Sequence, residues 1–293
     1  MPRRIYLQLH LLVALFASTA IFGKLISFSA PGTVIWRTLL AAIGAALWVK
    51  FGARRNLRLP RKTALSLLGV GAIVGVHWMC FFGAIKLSNV SIGLAGLATT
   101  SFFTAFSEPL LERRRIRSLE VLLGLLVLLG ILLVAGFERG HLAGLGLALA
   151  SAALASVFPV LNRRFVNRER LDPGVMVTWE MVGACVVCLL SLRLLEGPGS
   201  MVKLLDFHGY DWVWLLLLAW VCTVFAHAFH IHLLRFMTAY TGNLALNFEP
   251  IYGILAAAVL FAEHRELHPG FFLGAGAILL ANFLHPLLMR WHR

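Results

Sequence analysis

Residues 112–137 read ERRRIRSLEVLLGLLVLLGILLVAGF, a knot of arginines at 113–115 and 117 followed by a nearly unbroken apolar run. From Leu119 to Phe137 the only charge is Glu120. At ~1.5 Å per residue such a run matches the ~30 Å hydrocarbon core of a bilayer when helical. A helix also satisfies every backbone donor and acceptor internally, as lipid demands. Barrel strands would alternate apolar and polar residues over ~10 positions, and this run does not alternate. The arginines cannot follow the run into lipid, so they mark a water boundary.

The same unit recurs in both directions along the chain. Ten apolar stretches stand at roughly 6–28, 33–50, 63–86, 90–111, 119–137, 142–162, 174–195, 212–235, 240–262 and 268–289. They nearly tile the 293 residues, and the longest connections, about 51–62 and 196–211, are ordinary loops. Composition agrees: 60% of residues are hydrophobic and 13% charged, against about 45–50% and about 25% in soluble domains. So much apolar surface cannot be hidden in a soluble body of this size. The net charge of +13 does not indicate nucleic acid either, because the basic residues sit in short clusters between apolar runs.

Lys and Arg accumulate in cytoplasmic loops. With the N-terminus inside, 19 of the 26 basic residues fall on the cytoplasmic side, and both termini lie there. Arg3 and Arg4 ahead of an apolar core resemble a signal peptide. The stretch is long, however, and Lys24 leads on into the second run, so a retained first helix is expected. Cys80, Cys185, Cys188 and Cys222 all fall within apolar runs, where cysteine acts as a small apolar residue. The Cys185–Cys188 pair lacks the context of a redox or metal motif.

The two halves, 1–139 and 140–293, resemble each other. Pro31-Gly32 with Trp36-Arg37 answers to Pro173-Gly174 with Trp179-Glu180, and His77 to His227. Glu112 with its basic followers answers to Glu263-His264-Arg265, and Gly124 and Gly130 answer to Gly274 and Gly276. Five crossings per copy is an odd number, so the copies must be inverted. The expectation is an all-α integral membrane protein, ten transmembrane helices forming an inverted 5+5 repeat around a central cavity. Inverted repeats are typical of secondary transporters that bind substrate near the midplane.

Residues 244–267, LALNFEPIYGILAAAVLFAEHREL, carry a family resemblance. A Glu-Pro about a dozen residues ahead of a Glu and a basic residue is similar to the ninth-helix signature of the EamA-like branch of the drug/metabolite transporter superfamily. Residues 93–116 hold a degraded copy, with Thr100 at the aligned proline and Glu108-Pro109 later. The resemblance implies a basket of ten helices. Spans one to four and six to nine would line the cavity, and spans five and ten would lie outside it and support a homodimer. It further implies polar small-molecule cargo and, in bacteria, frequent export across the cytoplasmic membrane. Gly270 and Gly274 supply a GxxxG for close helix approach at span ten.

Ionisable groups in hydrocarbon cost about 2.5–3.5 kcal/mol on insertion scales, so each calls for a partner or a wet cavity. The candidate substrate contacts are Lys24, Trp36, Arg37, His77, Trp78, Thr100, Thr104, Glu180, His227, Asn243 and Asn247. Candidate coupling or gating residues are Glu108, Glu249 and Pro250. Arg37 and Glu180 occupy matching repeat positions with opposite charge. Either they pair across the interface, or Arg37 faces the cavity and grips a carboxylate or phosphate bidentately. Pro250 removes a backbone donor, so a kink is expected there, with Asn243 and Asn247 on one helix face leading to it. Thr100, Thr104 and Glu108 share another face. His227 and His230 share a face that His232 does not, but no zinc motif is present, and no metal, cofactor or catalytic residue is expected. Histidines here are candidates for a proton-coupled gate.

The expectation is therefore a secondary transporter and not an enzyme. It would carry a small polar metabolite such as an amino acid, by alternating access, with protons as a possible coupling ion and no nucleic-acid partner. No GxxxxGK[ST] loop is present to support ATP-driven pumping. The rival readings are a membrane-embedded lipid-modifying enzyme, hinted at by the histidines, and a non-transporting scaffold or sensor.

Overall fold

The protein is described by a computed structural model covering residues 3–116, 118–246 and 248–291. In chain order the helices are α1 (Arg3–Leu25), α2 (Ala30–Leu47), α3 (Arg61–Leu87), α4 (Val90–Leu97), α5 (Thr100–Glu112), α6 (Ser118–Phe137) and α7 (Leu142–Ala155). They continue as α8 (Phe158–Arg168), α9 (Pro173–Glu196), the short α10 (Ser200–Lys203), α11 (Asp211–Leu216), α12 (Ala226–Leu233), α13 (Ala239–Leu246), α14 (Glu249–Phe261) and α15 (Pro269–Trp291). Among the described residues there is no strand. Among the described residues, seven helical segments are each long and apolar enough to cross a membrane. Three shorter apolar helices, Val121–Phe137, Glu249–Phe261 and Pro269–Ala281, complete the fifth, ninth and tenth positions.

Three of the ten segments are broken mid-course: the fourth (α4/α5), the sixth (α7/α8) and the ninth (α13/α14). The causes are local. Pro250 and Pro159 stand in the first turns of α14 and α8, where a missing amide costs nothing but the preceding helix cannot continue through it. The fourth segment has no proline at its break. There Thr99 Oγ1 donates to the Gly96 carbonyl at 2.7 Å and Thr100 Oγ1 to the Leu97 carbonyl at 2.6 Å. The Thr99 amide also donates to the Gly96 carbonyl at 3.1 Å, so the hydroxyls supplement the backbone bonding at the break. The eighth segment instead winds through a π stretch, Leu217–Phe225, between α11 and α12.

The packing between halves obeys one exchange rule, segment n for segment n+5. The second packs on the seventh, the fourth on the ninth and the fifth on the tenth, pairs that the exchange maps onto themselves. The third packs on the seventh and sixth, just as the eighth packs on the second and first. The sixth likewise meets the fourth as the first meets the ninth. With five crossings per half, this two-fold relation runs within the membrane plane, as an inverted repeat requires.

The tightest inter-half approach is α3 on α9. A Cβ added at Gly71 would fall on the Glu180 carbonyl, and one at Gly183 on the Leu68 carbonyl. Gly130 of α6 and Gly274 of α15 meet in the same way, 2.7 Å separating a Cβ built on Gly130 from the Gly274 carbonyl oxygen. The glycine face expected to support a dimer is therefore used inside the chain. A homodimer through the fifth and tenth segments is left their outer sides, where Leu125, Leu129 and Leu273 are exposed.

Candidate functional site: a midplane cavity between the halves

A cavity of ≈ 80 Å³ lies where the three broken segments meet. Its walls come from the first segment (Phe16, Thr19), the second (Arg37), the third (His77, Trp78, Phe81) and the fourth (Leu97, Ala98, Thr100). The sixth (Ala155, Phe158), eighth (His227, His230) and ninth (Asn243, Leu246, Glu249, Pro250) complete them. Residues flanking each helix break thus face the same space. At about 10–15 Å³ of such volume per water, it holds several waters or a small solute.

Arg37 is 2% exposed. Its Nε donates to Thr223 Oγ1 at 2.8 Å, and its guanidinium carbon lies 3.6 Å from the Trp78 ring centroid. Thr223 in turn donates to the Leu218 carbonyl five residues back, a spacing that the π stretch makes possible. One nitrogen is thereby fixed and one guanidinium face is covered, while the two terminal nitrogens have no hydrogen bond among the described residues. That leaves a fork suited to a carboxylate.

His77 Nδ1 lies 2.9 Å from the Ser151 carbonyl, and Ser151 Oγ donates to the His77 carbonyl at 3.0 Å. Ser151 Oγ also lies 2.8 Å from Nδ1, so Ser151 holds this nitrogen through both its carbonyl and its hydroxyl. Glu180 is fully buried, with Oε2 2.8 Å from His227 Nε2 and accepting from Asn162 Nδ2 at 3.3 Å. Asn243 Nδ2 donates to Thr104 Oγ1 at 2.8 Å.

The cavity accordingly gathers eight of the residues singled out from sequence: Arg37, His77, Trp78, Thr100, His227, Asn243, Glu249 and Pro250. Others stand elsewhere. Arg37 and Glu180 do not pair with each other, because α9 holds Glu180 behind His227; the seventh segment, expected in the lining, contributes no wall residue. Thr104 lies behind Asn243 as its acceptor. Trp36 Nε1 donates to the Leu204 carbonyl in the 197–210 connection, away from the cavity. Asn247 lies outside the described residues. His230, Phe16, Thr19, Phe81, Leu97 and Phe158 line the cavity without having been named as contacts. Pro159, which forces the break beside Phe158, was the available signal for that wall.

Lys24 and Glu108 belong to closures at opposite faces. Glu263, from the second half, accepts from Lys24 Nζ at 2.7 Å and from three groups at the start of α4: Val90 N at 3.0 Å, Ser91 N at 2.9 Å and Ser91 Oγ at 2.7 Å. At the basic face the relation is reversed. Glu108, from the first half, accepts from Tyr240 N at the start of α13 at 3.0 Å, and Arg163 donates to Glu112 at 2.9 Å. Each half thus caps the other's broken segment with a carboxylate, a placement that the helix dipole favours. The two closures are related by the same exchange as the helices.

Burial alone would lift the Glu263 carboxyl. The Lys24 ammonium, the Ser91 hydroxyl and the Ser91 and Val90 amides outweigh it and hold the group below the usual carboxylate range. A carboxyl depressed in the folded state stabilises fully above its unfolded value and loses that contribution as pH falls through the folded one. Acidifying below the ordinary glutamate value of 4.5 should therefore lower the melting temperature of the wild type more steeply than that of Glu263→Gln. Parallel melting curves for the two proteins would remove the closure from the stability of the fold.

Compared with known proteins, the chain matches no curated protein. One solved structure, described as "Crystal structure of protein", superposes with a TM-score of 0.70 at 18% identity, covering 97% of this chain and 98% of its own. At that identity the likeness speaks for the fold alone. The EamA-like transporter family matches twice, over residues 3–136 and 142–285, one match for each set of five segments. With both matches together spanning nearly the whole length, the chain belongs to the EamA-like transporter family.

Proposed function

We propose that this protein is a secondary transporter that exports a small carboxylate-bearing metabolite, an amino acid or close relative, across a bacterial-type cytoplasmic membrane with both termini inside. The observation that carries the reading is the buried Arg37 fork opening onto a cavity built at three helix breaks. Glu249 across the same cavity is the counterpart for a substrate ammonium, and Phe16, Phe81, Phe158 and Leu97 supply an apolar wall for its side chain. The two related closures support alternating access. Releasing Glu263 from α4 would open one face, and releasing Glu108 and Glu112 from α13 and Arg163 would open the other. Each motion then costs one set of charged contacts while the other set holds. The basic clusters at one face support the orientation.

The test is reconstitution into liposomes with a panel of the labelled common amino acids. Saturable flux down the solute gradient, abolished in protein-free liposomes, is the expected result. Absence of flux for every member of the panel, together with covalent turnover of bilayer lipid, would replace this reading with that of a membrane enzyme.

A further inference from the structure

Glu180 is fully buried, yet its two oxygens are unequally served. Oε2 meets both His227 Nε2 and Asn162 Nδ2, whereas Oε1 has no partner among the described residues, and neither does the neighbouring Asn162 Oδ1. All three residues belong to the second half, on α9, α12 and α8, so the cluster does not clasp the two halves together as the terminal closures do. Of the three, only His227 reaches the cavity, and its second ring nitrogen, Nδ1, makes no hydrogen bond among the described residues.

We propose that Glu180 and His227 form a proton-carrying dyad in the cavity wall, loaded together with a substrate carboxylate on Arg37, so that export down the solute's own gradient carries a proton out in symport. This rests on the transport reading above. A proton from the open face adds to Nδ1 of His227, Nε2–H stays bonded to the Glu180 carboxylate, and the neutral-imidazole dyad gains one positive charge. Release at the other face breaks the same N–H bond.

Coupling follows from position. The Trp78 ring is shared: the Arg37 guanidinium lies on it, and the His227 ring meets it edge-on with centroids 6.2 Å apart. A carboxylate on Arg37 thus lies one aromatic ring from the imidazolium and stabilises it, and by linkage the loaded proton tightens carboxylate binding. The other charged or titratable groups facing His227 are His77 on α3, His230 on its own helix and Glu249 on α14. His77 has its Nδ1 held by the Ser151 carbonyl and hydroxyl, and Glu249 sits on the wall with Pro250.

The experiment uses liposomes holding a trapped pH dye and the same amino-acid panel. In the wild type, downhill solute efflux should acidify the receiving side, and an imposed pH gradient should drive solute uphill. Glu180→Gln should retain downhill flux within about threefold and lose more than tenfold of the gradient-driven accumulation. Should that variant not fold, His227→Gln is read by the ratio of gradient-driven accumulation to its own downhill flux, which should fall more than tenfold whatever its effect on downhill flux as a cavity-wall residue. Solute flux in the wild type without proton movement would overturn the dyad and leave the transport reading standing. Proton coupling that survives in both variants, or that disappears only in Glu249→Gln, would overturn it too. No flux for any amino acid would overturn both readings together.

Discussion

Replacing Arg37 with alanine is expected to reduce saturable amino-acid flux by at least about 100-fold, with little change in the amount of folded protein. A hydrogen bond to a charged group contributes about 1.5–3 kcal/mol, and a bidentate carboxylate contact makes two. Each factor of ten corresponds to about 1.4 kcal/mol. Stability should move little because two effects oppose. The variant loses the Thr223 bond at 2.8 Å and the Trp78 stacking, but it also removes a cation whose insertion costs about 2.5–3.5 kcal/mol. Arg37→Lys keeps the charge and loses the planar fork, so its flux should lie between wild type and alanine, with the loss appearing mainly in KM. The measurement is initial flux against substrate concentration, paired with thermal melting. Unchanged flux in a folded alanine variant would place the substrate elsewhere in the cavity.

The second large effect is structural. Gly71→Leu should yield no monodisperse protein on size-exclusion chromatography, and Gly71→Ala should melt several degrees lower. At this crossing the obstacle to a Cβ is the Glu180 main chain and not a side chain that can turn away. Overpacking typically costs about 1–3 kcal/mol where neighbours can shift, and main chain shifts only if α9 moves. Small residues at such crossings are how membrane helices reach close contact. Gly69, two residues earlier on the same helix, has open space within 4 Å, so Gly69→Ala is the control expected to melt like the wild type. Because the clash falls on Glu180, even a folded Gly71→Ala displaces the dyad's carboxylate, and its proton coupling should weaken more than its downhill flux. Equal melting of the two alanine variants would show that the crossing is looser than described.

What could be read directly from sequence follows from the bilayer. Apolar runs of the right length, arginine clusters at their ends and the Glu249-Pro250 break all express local constraints: hydrocarbon thickness, the cost of burying charge, and a missing amide. The break in the fourth segment was harder to see, since Thr99 and Thr100 do by side-chain hydrogen bonding what proline does in the ninth. The inverted repeat was legible because an odd number of crossings admits one relative orientation.

Partnerships within the membrane were not legible. Lys24 and Glu263 are separated by 239 positions, and Glu180 and His227 by 47. Nothing in an almost uniformly apolar helix marks which way it is rotated. Glu180 illustrates the point, since its repeat position matched that of Arg37 and suggested a pair. One face of α9 lies main chain to main chain on α3 at Gly71 and Gly183, and that contact sets the rotation of the helix and turns Glu180 toward His227. Thr223 became a ligand of Arg37 only through the π stretch that shifts its phase. Sequence alone therefore determined that this chain lives in a membrane, how many times it crosses and that its halves are inverted, because each of these depends on the length and charge of local segments. Tertiary structure decided which of the buried charges face the cavity and which face each other, because that depends on helix rotation, fixed by contacts between residues far apart in the chain.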